Sequence, residues 1–377
     1  MAGPASPTQS GRVVIVLTAR PAGFERVVAV RADRVPGRAM PQSTRVHATT
    51  NDATDTLRRL LADGALDLPT PATGNTAARH LGLFELARHH SVSVARLAEA
   101  HTDAIAILAE AGRAPQAGAL YGVWASVAPH PPVAPVRGEL RHPAGNCLLL
   151  TADKPFASGL GIVDRALVDA TCDAIEPVDP ADPPPAGTTR LVDIDVRGAA
   201  TVETNTDSWH TDALRDSATG SVRFVDHPVS RDDVIGGPDW YLDRVGFWHG
   251  ACGPAACWAG AAAGLVDAAE SMTDDNPHRR AHLGGMRSDA WALAAVLRAA
   301  GDEIDDDPAN VERARARALS LRQTVERHVA DILDRFSRSL GPRPFVGDGD
   351  VSQRWADTHL YVRQHHAERD LEVLGRG

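Results

Sequence analysis

Residues 211–236 read TDALRDSATGSVRFVDHPVSRDDVIG, and this passage decides how the rest of the sequence is divided. The apolar run at residues 221–225 within it is short and bounded by turn-forming residues, which is typical of a β-strand. Residues 236–239 (GGPD) come next, and beyond them apolar residues recur at helical spacing. The passage therefore marks the boundary between a β-rich region and a helical one.

The region before this boundary predicts several short strands. Apolar runs at residues 120–124, 147–150, 165–168, 190–194 and 221–225 are separated by Pro and Gly clusters, such as those at 131–132 and 183–185. Short apolar runs with turn signals between them indicate an all-β sandwich or barrel. We assign residues 119–238 to a central β-barrel domain.

The region after the boundary predicts four helices, at residues 239–271, 277–303, 308–340 and 352–374. Pro277 and Pro308 stand at first-turn positions, where a missing N–H is harmless. The third segment carries a continuous apolar stripe with steps of three or four residues. Four long helices with short links predict an up-and-down bundle, which we assign to residues 239–377.

The beginning of the chain completes an α+β multidomain fold. Residues 54–111 show helical periodicity, interrupted by a Pro/Thr/Gly break at 69–74, and predict an N-terminal helical domain over residues 51–118. Residues 1–50 are rich in Pro, Ser, Arg and Gly and are expected to be a poorly ordered extension.

Composition and charge narrow the class of protein. The chain carries 39 Lys and Arg against 49 Asp and Glu, a net charge of −10, which disfavours nucleic acid and anionic membranes as partners. No apolar run approaches the ~20 residues that cross a bilayer, and no signal-peptide pattern opens the sequence, so we expect a cytoplasmic protein. The four cysteines form no CxxC pair, and we predict no metal site. GxxxxGK[ST] is absent and residues 159–161 (GLG) are only a fragment of the dinucleotide fingerprint, which disfavours P-loop and Rossmann sites.

Three passages resemble the acyl-CoA dehydrogenase superfamily. Residues 120–126 (LYGVWAS) are similar to the strand whose Thr or Ser hydrogen-bonds the flavin pyrimidine. Residues 154–159 (KPFASG), followed by 164–168 (DRALV), are similar to the passage whose aromatic residue and hydroxyl flank the isoalloxazine ring. Residues 211–236 resemble the passage that closes the barrel and leads into the bundle. From residue 54 to residue 377 the chain is identified as a divergent member of this superfamily.

The resemblance implies an FAD site, and the residue types suit it. An isoalloxazine ring needs an apolar slot with hydrogen-bond partners along one edge. Trp124 and Phe156 are the candidates for the slot, and Ser126 and Ser158 are the candidates for the partners. Without the resemblance, the same residues would be expected as ordinary barrel core and turn positions.

The two places where this family holds its catalytic Glu contain no carboxylate here. The place in the last helix falls near Gln364 or His365, and the place in the first bundle helix falls near Gly250, beside His249. Gln364, His365 and His249 are therefore the candidate catalytic residues. The acidic residues one turn further on, Glu368 and Asp370, are expected on a solvated helix face with neighbouring arginines.

The pair at residues 365–366 leaves three interpretations open. The two histidines could handle a proton, bind a metal, or serve as polar residues beside a cleft. A metal is disfavoured because no second cluster with ligand spacing accompanies them.

The motifs that hold the FAD diphosphate in the family are also missing. Residues 271–276 (SMTDDN) run directly into Pro277, and residues 339–344 (SLGPRP) replace the passage that contacts FAD from a neighbouring subunit. Arg279, Arg280 and Arg343 are candidate substitutes as phosphate partners, with Arg280 our choice.

The leading hypothesis is an FAD-dependent oxidoreductase that acts on a CH–CH bond of an acyl thioester or related carbonyl compound. The family implies a homodimer or homotetramer and an electron acceptor or flavin reductase that the sequence does not identify. A first alternative is a reduced-flavin monooxygenase with His365 or His249 near the flavin C4a position. A second is a catalytically degenerate homologue that serves as a binding or scaffolding subunit.

Overall fold

The computed structural model describes residues 50–126, 138–141, 147–172 and 188–376. These residues belong to one compact unit, Ala48–Gly377. The predicted extension, residues 1–50, lies outside the described residues except for Thr50, which begins the first helix. The predicted domain limits at residues 118 and 238 fall between secondary-structure elements and stay predictions.

From residue 50 onward, three helices precede the sheet, which confirms the predicted helical region: α1 (Thr50–Ala62), α2 (Thr76–His89) and α3 (Val92–Glu110). Ser91 caps α3, because its side-chain oxygen accepts a hydrogen bond from the N–H of Val94 at 3.2 Å. The Arg58 guanidinium of α1 reaches the carboxylate of Asp164 at 2.6 and 2.9 Å and so ties α1 to the sheet.

The described residues of the central region form an eight-stranded mixed sheet, and all five predicted strands are present. Its strands are β1 (Tyr121–Trp124), β2 (Glu139–Arg141), β3 (Cys147–Ala157), β4 (Arg165–Cys172), β5 (Thr188–Asp195), β6 (Val202–Asn205), β7 (Gly220–Ser230) and β8 (Val234–Ile235). The order is β6-β7-β3-β2-β4-β5-β8, with β1 paired to β4. The β1–β4 and β2–β4 pairs are parallel and the other pairs are antiparallel. Pairing between described residues does not join β6 to β8, so closure into a barrel stays a prediction.

Strand β4 is buried on both faces, and α3 packs against one of them. Ala166 and Val168 face the core of the sheet itself. Leu167 faces the other way and packs in a cluster with Ile107 of α3. Alternating residues of one strand point to opposite faces, so β4 has an apolar neighbour on each side.

The C-terminal region is helical, as predicted. It contains α4 (Trp240–Asp243), α5 (Gly246–Gly250), α6 (Cys252–Met272), α7 (Pro277–Asp306), α8 (Val311–Leu340), α9 (Arg343–Gly347), α10 (Gly349–Tyr361) and α11 (Glu368–Gly375). Pro277 stands in the first turn of α7, as predicted. The apolar stripe of α8 faces the core, and its buried members are Ala318, Leu321, Val325, Val329, Ile332 and Phe336. None of the described helices is long and apolar enough to span a membrane.

Three predicted helix boundaries are wrong. The predicted helix at residues 239–271 is three helices, because Arg244 adopts an extended conformation at the end of α4 (φ −65°, ψ 142°). Pro308 precedes α8, whose cap is Asn310, with its side chain accepting from the N–H of Arg313 at 3.0 Å. The last predicted helix, residues 352–374, is interrupted after α10 by a 3₁₀ turn and by Ala367, whose φ is +47°.

Helix α6 is buried on almost every side, since α2, α3, α7, α8 and α10 all pack against it. Small residues make this possible. A Cβ atom on Gly260 would lie 2.0 Å from the carbonyl oxygen of Phe84, so only glycine allows α2 to approach this closely.

Candidate functional site

One cavity of about 650 Å³ lies where α3, β1, the end of β3 and the C-terminal helices meet. Its wall takes residues from each of these elements, including the start of α6, the N-terminal half of α8 and the turn between α10 and α11. The volume is in the range of small-molecule binding sites. The cavity therefore joins the three regions that the sequence separates.

The predicted flavin-ring residues come together on one wall of this cavity. Trp124, Ser126, Phe156 and Ser158 all line it. The Trp124 ring is buried, and its Nε1–H donates a hydrogen bond to the carbonyl oxygen of Ser158 at 2.9 Å. Trp124 thus belongs to the core of the sheet and to the cavity at once.

Phe156 differs from a core residue. Its side chain is 59% exposed, and its backbone has a φ of +57°. A bulky residue with positive φ is strained, and such strain clusters at functional sites. The exposed ring leaves an aromatic surface open towards the cavity, and the alternative of an ordinary barrel-core role for Phe156 is wrong.

Ser158 is held by a short chain of polar contacts. Its hydroxyl accepts a hydrogen bond from Arg96 Nε at 3.0 Å and lies 2.9 Å from the hydroxyl oxygen of Thr219. Because Arg96 belongs to α3, this contact joins the helical region to the end of β3. The serine is therefore fixed in place before any ligand binds.

The sequence analysis did not single out two carboxyl groups of α3 that also belong to this cavity. Glu99 and Asp103 are one helical turn apart and both line the cavity. Burial, and next the neighbouring Asp103, raise the pKa of Glu99 to about 8. Burial also raises the pKa of Asp103. A signal was present, because two acidic residues four positions apart share one face of a largely apolar helix.

Several arginines also line the cavity, among them Arg322 of α8. It is buried and donates hydrogen bonds to the carbonyl oxygens of Ala251 at 3.1 Å and Gln364 at 3.0 Å. Its guanidinium also lies 4.7 Å from the ring centre of Trp258. Arg322 thereby links the start of α6 to the turn after α10.

The turn at residues 362–367 contributes Gln364 but not His365 to the cavity wall. His365 is buried, and its Nδ1 accepts a hydrogen bond from the N–H of Ala367 at 3.1 Å.

The next residue, His366, lines the cavity and lies 3.3 Å from a carboxylate oxygen of Asp370. The expectation that Asp370 lies on a solvated face is wrong, because its side chain is buried against this turn.

His249 and Arg280 lie away from this cavity. His249 lines a neighbouring cavity of about 340 Å³, and burial lowers its pKa to about 4. Arg280 lines a separate surface cavity next to Asp275, with which it forms an ion pair. No group of three or more His, Cys, Asp or Glu residues within the described ranges is arranged to hold a metal ion.

Residues on one wall of the cavity fit a flavin ring. Trp124 and Phe156 offer aromatic surface, and Ser126 and Ser158 offer hydroxyl groups at the same wall. Arg280, the predicted diphosphate partner, lines a different cavity and is paired with an acidic neighbour.

This architecture, helices followed by a mixed sheet and a helical C-terminal region, is the acyl-CoA dehydrogenase-like fold. The prediction of that fold is confirmed by comparison with solved structures. Dibenzothiophene monooxygenase TdsC from Paenibacillus sp. A11-2 superposes with a TM-score of 0.66 at 17% identity, over 87% of this chain and 95% of that one. A nitrososynthase from Micromonospora carbonacea var. africana gives a TM-score of 0.67 at 18% identity, over 86% and 92%.

A dehydrogenase is similar to the same extent. Butyryl-CoA dehydrogenase from Megasphaera elsdenii gives a TM-score of 0.66 at 14% identity, over 85% of this chain and 89% of that one. TdsC has also been solved in complex with FMN and indole. No protein-family model and no curated protein sequence matches the chain. At these identities the likeness shows the fold.

Proposed function

We propose that the chain is a flavin-dependent oxidoreductase whose flavin ring binds in the 650 Å³ cavity. The observation that carries the proposal is the wall formed by Trp124, Phe156 and Ser158, where an exposed aromatic ring and a fixed hydroxyl stand beside a buried indole. The FMN complex of TdsC, which has the same fold, supports it. Residues of this wall orient the ring, and the surrounding helices exclude water from it.

Within this class we propose a reduced-flavin monooxygenase that takes a small organic substrate. When bound, a reduced flavin supplies the two electrons that allow O₂ to insert one oxygen atom and release the other as water. The places expected to hold the dehydrogenase carboxylate fall near Gln364 or His365 and near Gly250, and neither place holds a carboxylate. Glu99, whose raised pKa favours the protonated form at neutral pH, suits a reaction that consumes a proton. The monooxygenase TdsC and the nitrososynthase share the fold.

Dehydrogenation of an acyl thioester is the second candidate, and Glu99 is also the observation that favours it. A carboxyl group with a pKa of about 8 is matched to proton abstraction if it faces the substrate as a carboxylate. Butyryl-CoA dehydrogenase has the same fold. Under this candidate the α-proton would go to Glu99 in place of the missing carboxylates.

The proposal also includes the kind of flavin, the oligomeric state and the closure of the sheet into a barrel. We propose FMN rather than FAD, because Arg280 lies at another cavity and the sequence lacks both diphosphate passages. Homo-oligomeric assembly and a closed barrel are implied by the family resemblance alone.

The visible absorption spectrum of the purified full-length protein, with its released cofactor identified, tests the flavin. Product formation from indole or dibenzothiophene that requires both added reduced FMN and O₂ supports the monooxygenase. Anaerobic bleaching of the bound flavin by a panel of acyl-CoA thioesters supports the dehydrogenase. A colourless protein that takes up neither FMN nor FAD contradicts both and supports the scaffolding alternative.

A further inference from the structure

Glu99 occupies a central place in the cavity wall. It lies one turn after Arg96, which holds Ser158, and one turn before Asp103. Its side chain is 9% exposed, and the residue lines the cavity. A Cβ atom on Gly253 of α6 would come within 2.5 Å of Glu99 Oε1, so the absence of a side chain at that glycine makes room for the carboxyl group.

The carboxyl group of Glu99 has no partner within the described part of the chain, by hydrogen bond or by ion pair. The two nearest arginines are engaged elsewhere. Arg96 donates its Nε–H to Ser158, and Arg322 donates to two backbone carbonyl groups. A largely buried carboxyl group that lines a cavity and has a perturbed pKa is a candidate for a role towards a ligand.

The electrostatic surroundings of Glu99 are mixed. The titratable and charged groups that act on it or that it acts on come from six helices: Arg79, Arg96, Asp103, Tyr241, Cys257, Arg322 and Tyr361. The three arginines favour its carboxylate form, but burial and the charge of Asp103 outweigh them and raise the pKa of Glu99. Two carboxyl groups one turn apart in a buried wall do not both ionise readily, so this pair retains a proton at neutral pH.

We propose that Glu99 is the general acid of this cavity and delivers a proton to the oxygen atom that leaves as water. The inference rests on the proposed monooxygenase function, with O₂ and reduced flavin as co-reactants. The O–H bond of the Glu99 carboxyl group breaks while an O–H bond forms on the departing oxygen. The resulting carboxylate takes its proton back from solvent water. Asp103 is a positioning residue, because its charge keeps the proton on Glu99 until it is needed.

The test uses the full-length protein and its Glu99→Gln variant, which keeps the size of the side chain. Glu203→Gln, at an exposed position of β6, is the matched control. The first readout needs neither flavin nor turnover. It is the infrared carbonyl band of a protonated carboxylic acid at pH 7, which we expect in the wild type and in the control and not in Glu99→Gln. A wild-type band that persists unchanged in Glu99→Gln, or no such band in the wild type, overturns the inference.

The second readout is oxidation of indole or dibenzothiophene with added reduced FMN. We expect the rate to fall by at least about 100-fold in Glu99→Gln, with FMN affinity unchanged. We expect the alkaline limb of the pH–rate profile to move to lower pH in Asp103→Asn, because the charge that raises the pKa of Glu99 is removed. Near-normal turnover in Glu99→Gln overturns the inference and leaves the proposed function intact. Failure of the wild type to use O₂ and reduced FMN instead overturns the proposed function.

Discussion

The carboxylate of Asp103 lies against Gly250, so closely that a Cβ atom on the glycine would stand 2.5 Å from Asp103 Oδ1. In the family that the sequence resembles, the place of Gly250 in the first bundle helix is one of the two that hold the catalytic Glu. Here a carboxyl group from α3 fills the space beside a residue that has no side chain. Glu99 and Gly253 repeat the relationship one turn away. Acidic groups are thus present in the cavity. They come from α3, and not from the two helices that hold the catalytic Glu in that family.

The close packing of α2 on α6 predicts opposite effects for two glycine substitutions. Gly260→Ala should destabilise the fold by about 3 kcal/mol, because its Cβ would meet the backbone oxygen of Phe84 at 2.0 Å. Gly284→Ala, in α7, is the control, because no atom lies within 4 Å of its added Cβ. It should stabilise the fold by up to about 1 kcal/mol through helix propensity. Urea unfolding measures both, and equal effects would contradict the packing.

A buried ion pair in the sheet predicts a large loss of stability. Lys154 Nζ and Asp169 Oδ1 are 2.7 Å apart, and both side chains are fully buried. Lys154→Met should lower the free energy of unfolding by about 3–5 kcal/mol, because a buried carboxylate loses its countercharge. Adding Asp169→Leu should recover part of the loss. Urea unfolding of the single and double variants checks this, and a double variant less stable than the single one would contradict it.

The contacts of Ser158 predict its effect on flavin binding. Ser158→Ala removes the acceptor for Arg96 and the contact with Thr219, so the cavity wall loses its fixed hydroxyl. We expect the Kd for FMN to rise about tenfold, the value of one hydrogen bond to a charged group. Ser320→Ala, at an exposed position of α8, should leave the Kd unchanged. Fluorescence titration with FMN measures both values, and equal Kd values for the two variants would exclude Ser158 from the site.

Trp124 predicts a spectroscopic change. Its indole lines the cavity and is fixed by the Nε1–H bond to Ser158. Trp124→Phe removes that hydrogen bond and part of the aromatic surface, so we expect the absorption band of bound FMN to shift and its fluorescence quenching to weaken. An unchanged spectrum of bound FMN would place the ring elsewhere.

The burial of the His101 ring predicts how the free energy of unfolding depends on pH. Its Nδ1 accepts a hydrogen bond from the N–H of Tyr121 at 3.2 Å, which requires the neutral ring, and burial lowers its pKa from 6.5 to about 4. The unfolded chain takes up this proton at higher pH than the folded one, so stability is lost as pH falls from 6.5 to 4. His101→Asn should remove up to about 3 kcal/mol of that dependence. The measurement is the free energy of unfolding of both proteins across this range, and parallel curves would contradict the assignment.

Much of the fold follows from local patterns. Apolar runs bounded by Pro and Gly locate the strands, and the stripe of α8 is visible as a three–four step. The helix breaks at Arg244 and Ala367 could not be predicted, because neither residue type is a helix breaker. The parallel pairing of β1 with β4 joins residues 44 positions apart, such as Tyr121 and Arg165, which no local pattern encodes.

The candidate site was predictable only in part. Trp124, Ser126, Phe156 and Ser158 were found through family resemblance, and the structure brings them to one wall. Sequence position alone put His365 and His249 near a reaction centre, but those side chains lie outside this cavity, and their catalytic roles stay predictions. Glu99 was missed because periodicity shows which face of a helix is buried and not what that face meets.

The link made by Arg322 has a practical meaning for work with this protein. The Arg322 guanidinium binds the carbonyl oxygens of Ala251 and Gln364, which are far apart in the chain. The turn after α10 is thereby connected to the start of α6. Truncation of the chain before Gln364 would remove this connection and open one side of the cavity.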